Sequence, residues 1–63
     1  MVKLNPLRLA RLENELTQWD VAVQTGISQS LISLYEKEVL EPKEEHREAL
    51  AKLYGREVRQ LWQ

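Results

Sequence analysis

The stretch LTQWDVAVQTGISQSLISLYE, residues 16–36, decides the fold. Thr17 followed by Asp20 is a capping box with the shorter acid: each side chain can satisfy the other residue's free backbone amide, so a helix starts at Gln18. That helix is predicted to run to Thr25 and to stop at Gly26, which tolerates the left-handed turn a helix end needs. Ser28 then caps a further helix over Gln29 to Glu36. Only Gly26 and Ile27 separate the two, which is too little chain for a long-looped hairpin and suits two helices meeting at a steep angle. Ala22 is small where such helices touch, and Val21, Ile27 and Ile32 fill the space beneath. Ile32 and Tyr35, three apart, face inward; Ser30, Ser33 and Leu34 face out. Trp19 and Val23 lie on the nominally outward side of the earlier helix and are expected to pack against a neighbouring one, the first or the fourth.

Working outward, Asn5-Pro6 reads as a helix start, since Asn can accept from the first free amides and Pro at the first position has no N–H to leave unpaired. The first helix is placed at residues 6–14, with Leu7 and Ala10 inward, Leu9 a further candidate, Arg8 and Glu13 outward and Arg11 at the boundary. Residues 37–42 form a loop, because Pro42 biases Glu41 away from helix and can itself open the next one. A fourth helix spans 43–54 with Ala49, Leu50, Leu53 and Tyr54 as its apolar stripe, ended by Gly55; residues 57–62 carry a last short helix with Val58, Leu61 and Trp62. No segment alternates with period two over a useful length. The expectation is an all-α, five-helix bundle. Sixty-three residues hold one domain at most, and a chain of this size buries only about 60% of its unfolded surface, so nearly every element must contribute to the core.

Composition removes whole classes of chemistry. With no Cys and one His, structural zinc, a thiolate nucleophile and a two-His metal site are unavailable. Catalysis would rest on carboxylates and hydroxyls alone, and no catalytic constellation emerges, so no enzyme, cofactor, metal or small-molecule substrate is expected. His46, among Glu44, Glu45 and Glu48, reads as a boundary residue at the core edge, and Glu44-Glu45 as complements to the positive end of a helix dipole. The longest apolar run is three residues, as in Val21-Ala22-Val23, against roughly 20 for a bilayer span. Met1-Val2-Lys3 leads into no signal-peptide core, so a cytoplasmic protein without a membrane partner is expected. Nine Lys plus Arg against ten Asp plus Glu leave a net charge of −1. Nucleic-acid modules are often basic overall, so a DNA partner would require a local field.

Leu16-Thr17-Gln18 through Tyr35-Glu36, then Pro42, resembles the helix-turn-helix of the lambda-repressor-like, Cro/repressor (XRE-type) family. Leu50 to Gly55 and Leu61-Trp62 are similar to that family's fourth and fifth helices, so the resemblance covers about residues 6–62 of a single domain whose helix-turn-helix core is 17–36. It implies a sequence-specific DNA-binding regulator, a phage or bacterial repressor, reading the major groove of operator DNA with the third helix as a homodimer. Gln29 sits where members commonly place a glutamine able to bond adenine bidentately; Ser30 and Ser33 present hydroxyls to either a donor or an acceptor, and Leu34 can cover a thymine methyl. Gln18 would anchor a phosphate, and Ser28, chiefly an N-cap, can donate to one as well. Lys37 and Lys43 would supply the cations of the loop. Arg11 and Glu36 match a structural ion pair that ties the recognition helix to the scaffold.

The sequence departs from the family at Glu15 and Glu38, where members usually have glycine. Asn14 can take the left-handed role at the first turn. Glu38 and Glu41 offset much of what Lys37 and Lys43 contribute near phosphates, so binding is expected to be weak and salt-sensitive unless two copies act together. Val58, Leu61 and Trp62 are the expected dimer surface, with closure of the monomer core as the other reading of Leu61 and Trp62. The rival function is a helix-turn-helix fold used for protein contact, an adaptor or antitoxin-like partner, through Trp19, Val23 and Leu34.

Overall fold

The computed structural model describes residues 5–62. Five helices follow in order: α1 (Pro6–Glu13), α2 (Gln18–Thr25), α3 (Gln29–Glu36), α4 (Glu44–Tyr54) and α5 (Val58–Leu61). No strand occurs among the described residues. The ends of α2 and α3 fall where the cap residues place them. Thr17 and Asp20 form the reciprocal box, with Thr17 N donating to Asp20 Oδ2 at 2.9 Å and Asp20 N to Thr17 Oγ1 at 3.0 Å. These bonds hold the Asp20 carboxyl below its ordinary value, the Thr17 amide contributing most. The cap is therefore present above the ordinary carboxylate range and is lost as pH falls through the depressed value. Ser28 Oγ accepts from Leu31 N. Three edges move by a residue or so: α1 ends at Glu13, Lys43 rather than Pro42 precedes α4 as its cap, and α5 is limited to four residues.

The core is Leu7 and Ala10 of α1, Val21, Ile27, Ile32 and Tyr35 of the helix-turn-helix, Leu50, Ala51 and Tyr54 of α4, and Leu61. Tyr54, Ile32, Leu50 and Val21 are its fully buried centre. α2 packs on α3 and α4, while α1 meets α3 and α5, so α3 is held from behind by the rest of the molecule. Four sequence expectations are corrected. Leu9 is exposed, because α1 turns only Leu7, Ala10 and Arg11 inward. Arg11 is buried, not at the boundary, because Glu36 neutralises it there. Trp19 and Val23 pack against neither α1 nor α4 and are 66% and 69% exposed: α2 makes its contacts through Val21 and Ala22, which turns this pair to the opposite side.

The fourth correction concerns the left-handed residue after α1. Asn14 sits at φ −91°, and Glu15 takes φ +56°. Glu38 does the same after α3, at φ +60°. Each closes its helix by the same pair of bonds: Glu15 N and Leu16 N donate to Leu12 O and Arg11 O, Glu38 N and Val39 N to Tyr35 O and Leu34 O. This six-residue closure demands a left-handed residue, whatever its type. Gly26 and Gly55 occupy left-handed positions after α2 and α4 without strain. For an L-residue the conformation costs about 1–2 kcal/mol, partly offset by the larger entropy glycine loses on folding, about 0.5–1 kcal/mol. Glu15→Gly and Glu38→Gly are each expected to stabilise the fold by about 0.5–1 kcal/mol, raising Tm by several degrees in a domain of this size. Thermal melts followed by circular dichroism check this; a fall in Tm would show that the carboxylates stabilise through contacts of their own.

Candidate nucleic-acid interface

Three elements position α3, and they meet at Glu36. Arg11 Nε donates to Glu36 Oε2 at 2.7 Å and Arg11 Nη2 to Oε1 at 3.2 Å, with both side chains buried. The remaining guanidinium edge, Nη1, donates to Leu16 O at 2.8 Å, in the turn before α2. Gln18 Nε2, at the start of α2, donates to Glu36 Oε1 at 3.1 Å. Asn5 caps α1 by accepting from Arg8 N and also donates through Nδ2 to the carbonyl of Glu36. The C-terminal end of α3 is thus tied to α1, to the α1–α2 turn and to α2. A planar, permanently charged guanidinium suits this task, since its fork serves a carboxylate and a carbonyl together.

Tyr54 approaches the same cluster from α4. Its hydroxyl is buried without a hydrogen-bond partner among the described residues, and its ionisation is pushed up by burial first and by Glu36 next, partly offset by Arg11. The neutral phenol is the folded form. A group whose folded pKa is raised contributes stability fully present below its ordinary value near 10 and lost as pH climbs beyond it. Tyr54→Phe removes an unpaired polar atom, so it is expected to hold or raise stability by about 1 kcal/mol and to flatten the alkaline limb. Urea titrations at neutral and alkaline pH measure both effects, and a loss of stability at neutral pH would reveal a partner for the hydroxyl.

With its back so held, α3 presents its other face to solvent. Gln18, Gln29, Ser30, Ser33 and Leu34 line one shallow surface depression of about 360 Å³. Gln29 and Ser30 are exposed, and Gln18, Ser33 and Leu34 are half-buried on its flank. No carboxylate lines it. Ser28, exposed, stands at the N-terminal rim, where free helix amides and the dipole favour an anion. Lys37 follows α3 directly, and Lys43 precedes α4, both exposed, with Glu38 and Glu41 between them.

A helix-turn-helix family model matches residues 7–61, which takes in α2 to α5 and all of α1 but Pro6. The chain belongs to the helix-turn-helix family, of the Cro/repressor, XRE-like type. No characterised protein and no solved structure gave a significant match. The family is one of DNA-binding regulators, and α3 is the second helix of the helix-turn-helix pair. No helix among the described residues is long and apolar enough to cross a membrane.

The C-terminal residues divide. Leu61 is 6% exposed and closes the core beside α1, so it offers nothing to a partner; Val58 and Trp62 pack against that core and remain half-buried. Reasoning from sequence also missed Arg47. Its Nε donates to Pro42 O at 3.0 Å, and its guanidinium carbon lies 5.8 Å from the centre of the Trp62 ring. A cation near an aromatic residue fifteen positions away leaves no periodic signal. His46 lies at the core edge, its Nδ1 2.7 Å from Tyr35 Oη, and no group of three or more His, Asp or Glu able to hold a metal occurs among the described residues.

Proposed function

We propose that this domain is a sequence-specific transcription regulator, a repressor acting in the cytoplasm, that lays the N-terminal half of α3 in the major groove and binds a two-fold operator as a homodimer. The observation that carries the reading is the single carboxylate-free depression shared by Gln18, Gln29, Ser30, Ser33 and Leu34. A bidentate amide, two hydroxyls and an apolar side chain supply readers for an adenine, for either hydrogen-bonding sense and for a thymine methyl. Gln18 keeps one N–H free beyond its bond to Glu36, so it can still meet a phosphate, oriented by the ion-pair cluster. Dimerisation follows from the shortness of the reading helix: two copies multiply affinity and specificity.

Selection of bound duplexes from a random pool, at low salt because the loop carboxylates weaken phosphate contacts, is the direct test. The expected result is a two-fold symmetric motif with half-sites about 10 base pairs apart; a folded protein that enriches nothing would remove the reading.

A protein-docking role has its own support in the exposure of Trp19 and Val23, neighbours one turn apart on α2. Lys37→Glu separates the two. It is expected to weaken DNA binding strongly and, where binding is still measurable at low salt, to reduce the salt slope by about two units, since each copy of the dimer loses one phosphate contact, while leaving a docking face on α2 untouched.

A further inference from the structure

The loop that carries Lys37 and Lys43 is bridged at its root by the two helices that flank it. Tyr35, in the last turn of α3, and His46, in the first turn of α4, place Oη and Nδ1 2.7 Å apart, with their rings tilted at 57° and 5.9 Å between centres. This is the one side-chain hydrogen bond joining α3 to α4 among the described residues. His46 also meets the loop through its backbone, since His46 N donates to Lys43 O at 3.0 Å. Tyr35 is buried and His46 half-buried, so the imidazole stands where the core gives way to the surface. The tyrosine occupies Nδ1, and no described hydrogen bond involves Nε2. Tyr54 Oη is the buried side-chain atom left without a partner among the described residues, so Nε2, which has none, reaches solvent.

We propose that His46 is a further DNA-backbone residue: held at the root of the loop by Tyr35, it adds a third cation to Lys37 and Lys43 when its imidazole is protonated. The proposal rests on the reading of this loop as a phosphate contact. Both protonation states keep the bond to Tyr35. A neutral imidazole accepts at Nδ1 from the tyrosine and carries its hydrogen on Nε2; a charged one donates from Nδ1, and the hydroxyl turns to accept. Nε2–H can therefore meet a phosphate in either state, and the charged state makes that bond the stronger. Burial pushes the Tyr35 phenol above its ordinary value, so the tyrosine keeps its own proton and the imidazole alone changes charge. The charged groups around it are Lys37, Glu38, Glu41 and Lys43 in the loop, Glu44, Glu45, Arg47 and Glu48 on α4, and Glu36 on α3, already paired with Arg11. Asp20 of α2 and Arg59 of α5 are engaged at their own helix ends, with Thr17 and Glu57. All of these are present with and without DNA. Binding adds phosphates, which favour the charged imidazole, so affinity rises as pH falls through the range where histidine titrates. His46 is the single histidine of the chain. One unit charge within a Debye length of phosphates, about 10 Å, strengthens binding about threefold in water-like surroundings, so a complex of two copies gains about tenfold.

Fluorescence anisotropy of the full chain titrated into a mixed-sequence duplex long enough for two half-sites, about 20 base pairs, tests the proposal at about 50 mM salt and at about pH 7.5 and about pH 5.5. The expected result is a tightening of about tenfold at the lower pH. His46→Gln, whose amide can serve both Tyr35 and a phosphate without titrating, is expected to bind like the parent at the higher pH and to gain about twofold or less. His46→Lys, charged throughout, is expected to bind at the higher pH about as tightly as the parent does at the lower, and to change little between them. Helix content and Tm at both pH values establish that each variant is folded. A parent whose affinity is flat with pH, a gain retained in His46→Gln, or a His46→Lys no tighter than His46→Gln would each overturn the proposal. The underlying reading fails differently: a folded domain that binds no duplex at either pH loses DNA recognition altogether, whereas duplex binding indifferent to pH removes only the charge of His46 from it.

Discussion

Arg11→Ala is expected to leave the domain largely unfolded at room temperature. The guanidinium is buried, and all three of its nitrogens donate, two to Glu36 and one to Leu16 O. Removing it strands the Glu36 carboxylate in the interior with only Gln18 as a side-chain donor. Breaking a buried pair from one side costs about 3–5 kcal/mol, because the surviving charge stays desolvated. Against that stands a total stability of about 3–9 kcal/mol for a chain of this length, at roughly 0.05–0.15 kcal/mol per residue. Urea titration by circular dichroism measures the loss. The double change Arg11→Met with Glu36→Leu is expected to recover most of it, since no charge is then left unpaired. A single variant as stable as the parent would mean that the pair orients α3 without supporting the fold.

Gln29→Ala should act on recognition and spare stability. The side chain is exposed, no described hydrogen bond involves it, and it lies at the first position of α3, in the turn that would reach base edges. One bidentate base contact is worth about 1–3 kcal/mol of discrimination, so preference at one position of each half-site should fall about 5- to 150-fold, with the other positions kept. Repeating the duplex selection with the variant reads this directly. An unchanged motif would remove Gln29 as a base reader and shift the reading to Ser30 and Ser33. A uniform loss across all positions would instead mark Gln29 as a backbone anchor.

The difference between these two variants follows from what a sequence can carry. Helix boundaries at Thr17, Gly26 and Ser28 were legible because a cap acts within three or four residues of itself. Ile32 and Tyr35 were legible because periodicity marks a buried face. The depression formed by Gln18, Gln29, Ser30, Ser33 and Leu34 could be anticipated, once the steep turn was granted, from the face of α3 opposite that pair and from the family pattern. Trp19 and Val23 were misplaced because burial was inferred from their apolar character, which cannot say whether a neighbouring helix covers them.

What the sequence by itself determined is local: five helices, their stops and caps, and a short turn, Gly26 to Ser28, that admits only a steep crossing of α2 and α3. Tertiary structure alone decided the rest. It assigned the left-handed turn to Glu15 instead of Asn14, through two bonds that Glu15 N and Leu16 N make to α1. It gathered Asn5, Leu16 and Gln18 around the Arg11–Glu36 pair from separate parts of the chain. It also sent Leu61 into the core while leaving Val39 and Leu40 outside. Neither capping nor periodicity records such choices, because each depends on which distant surface is within reach to bury a side chain or satisfy a charge.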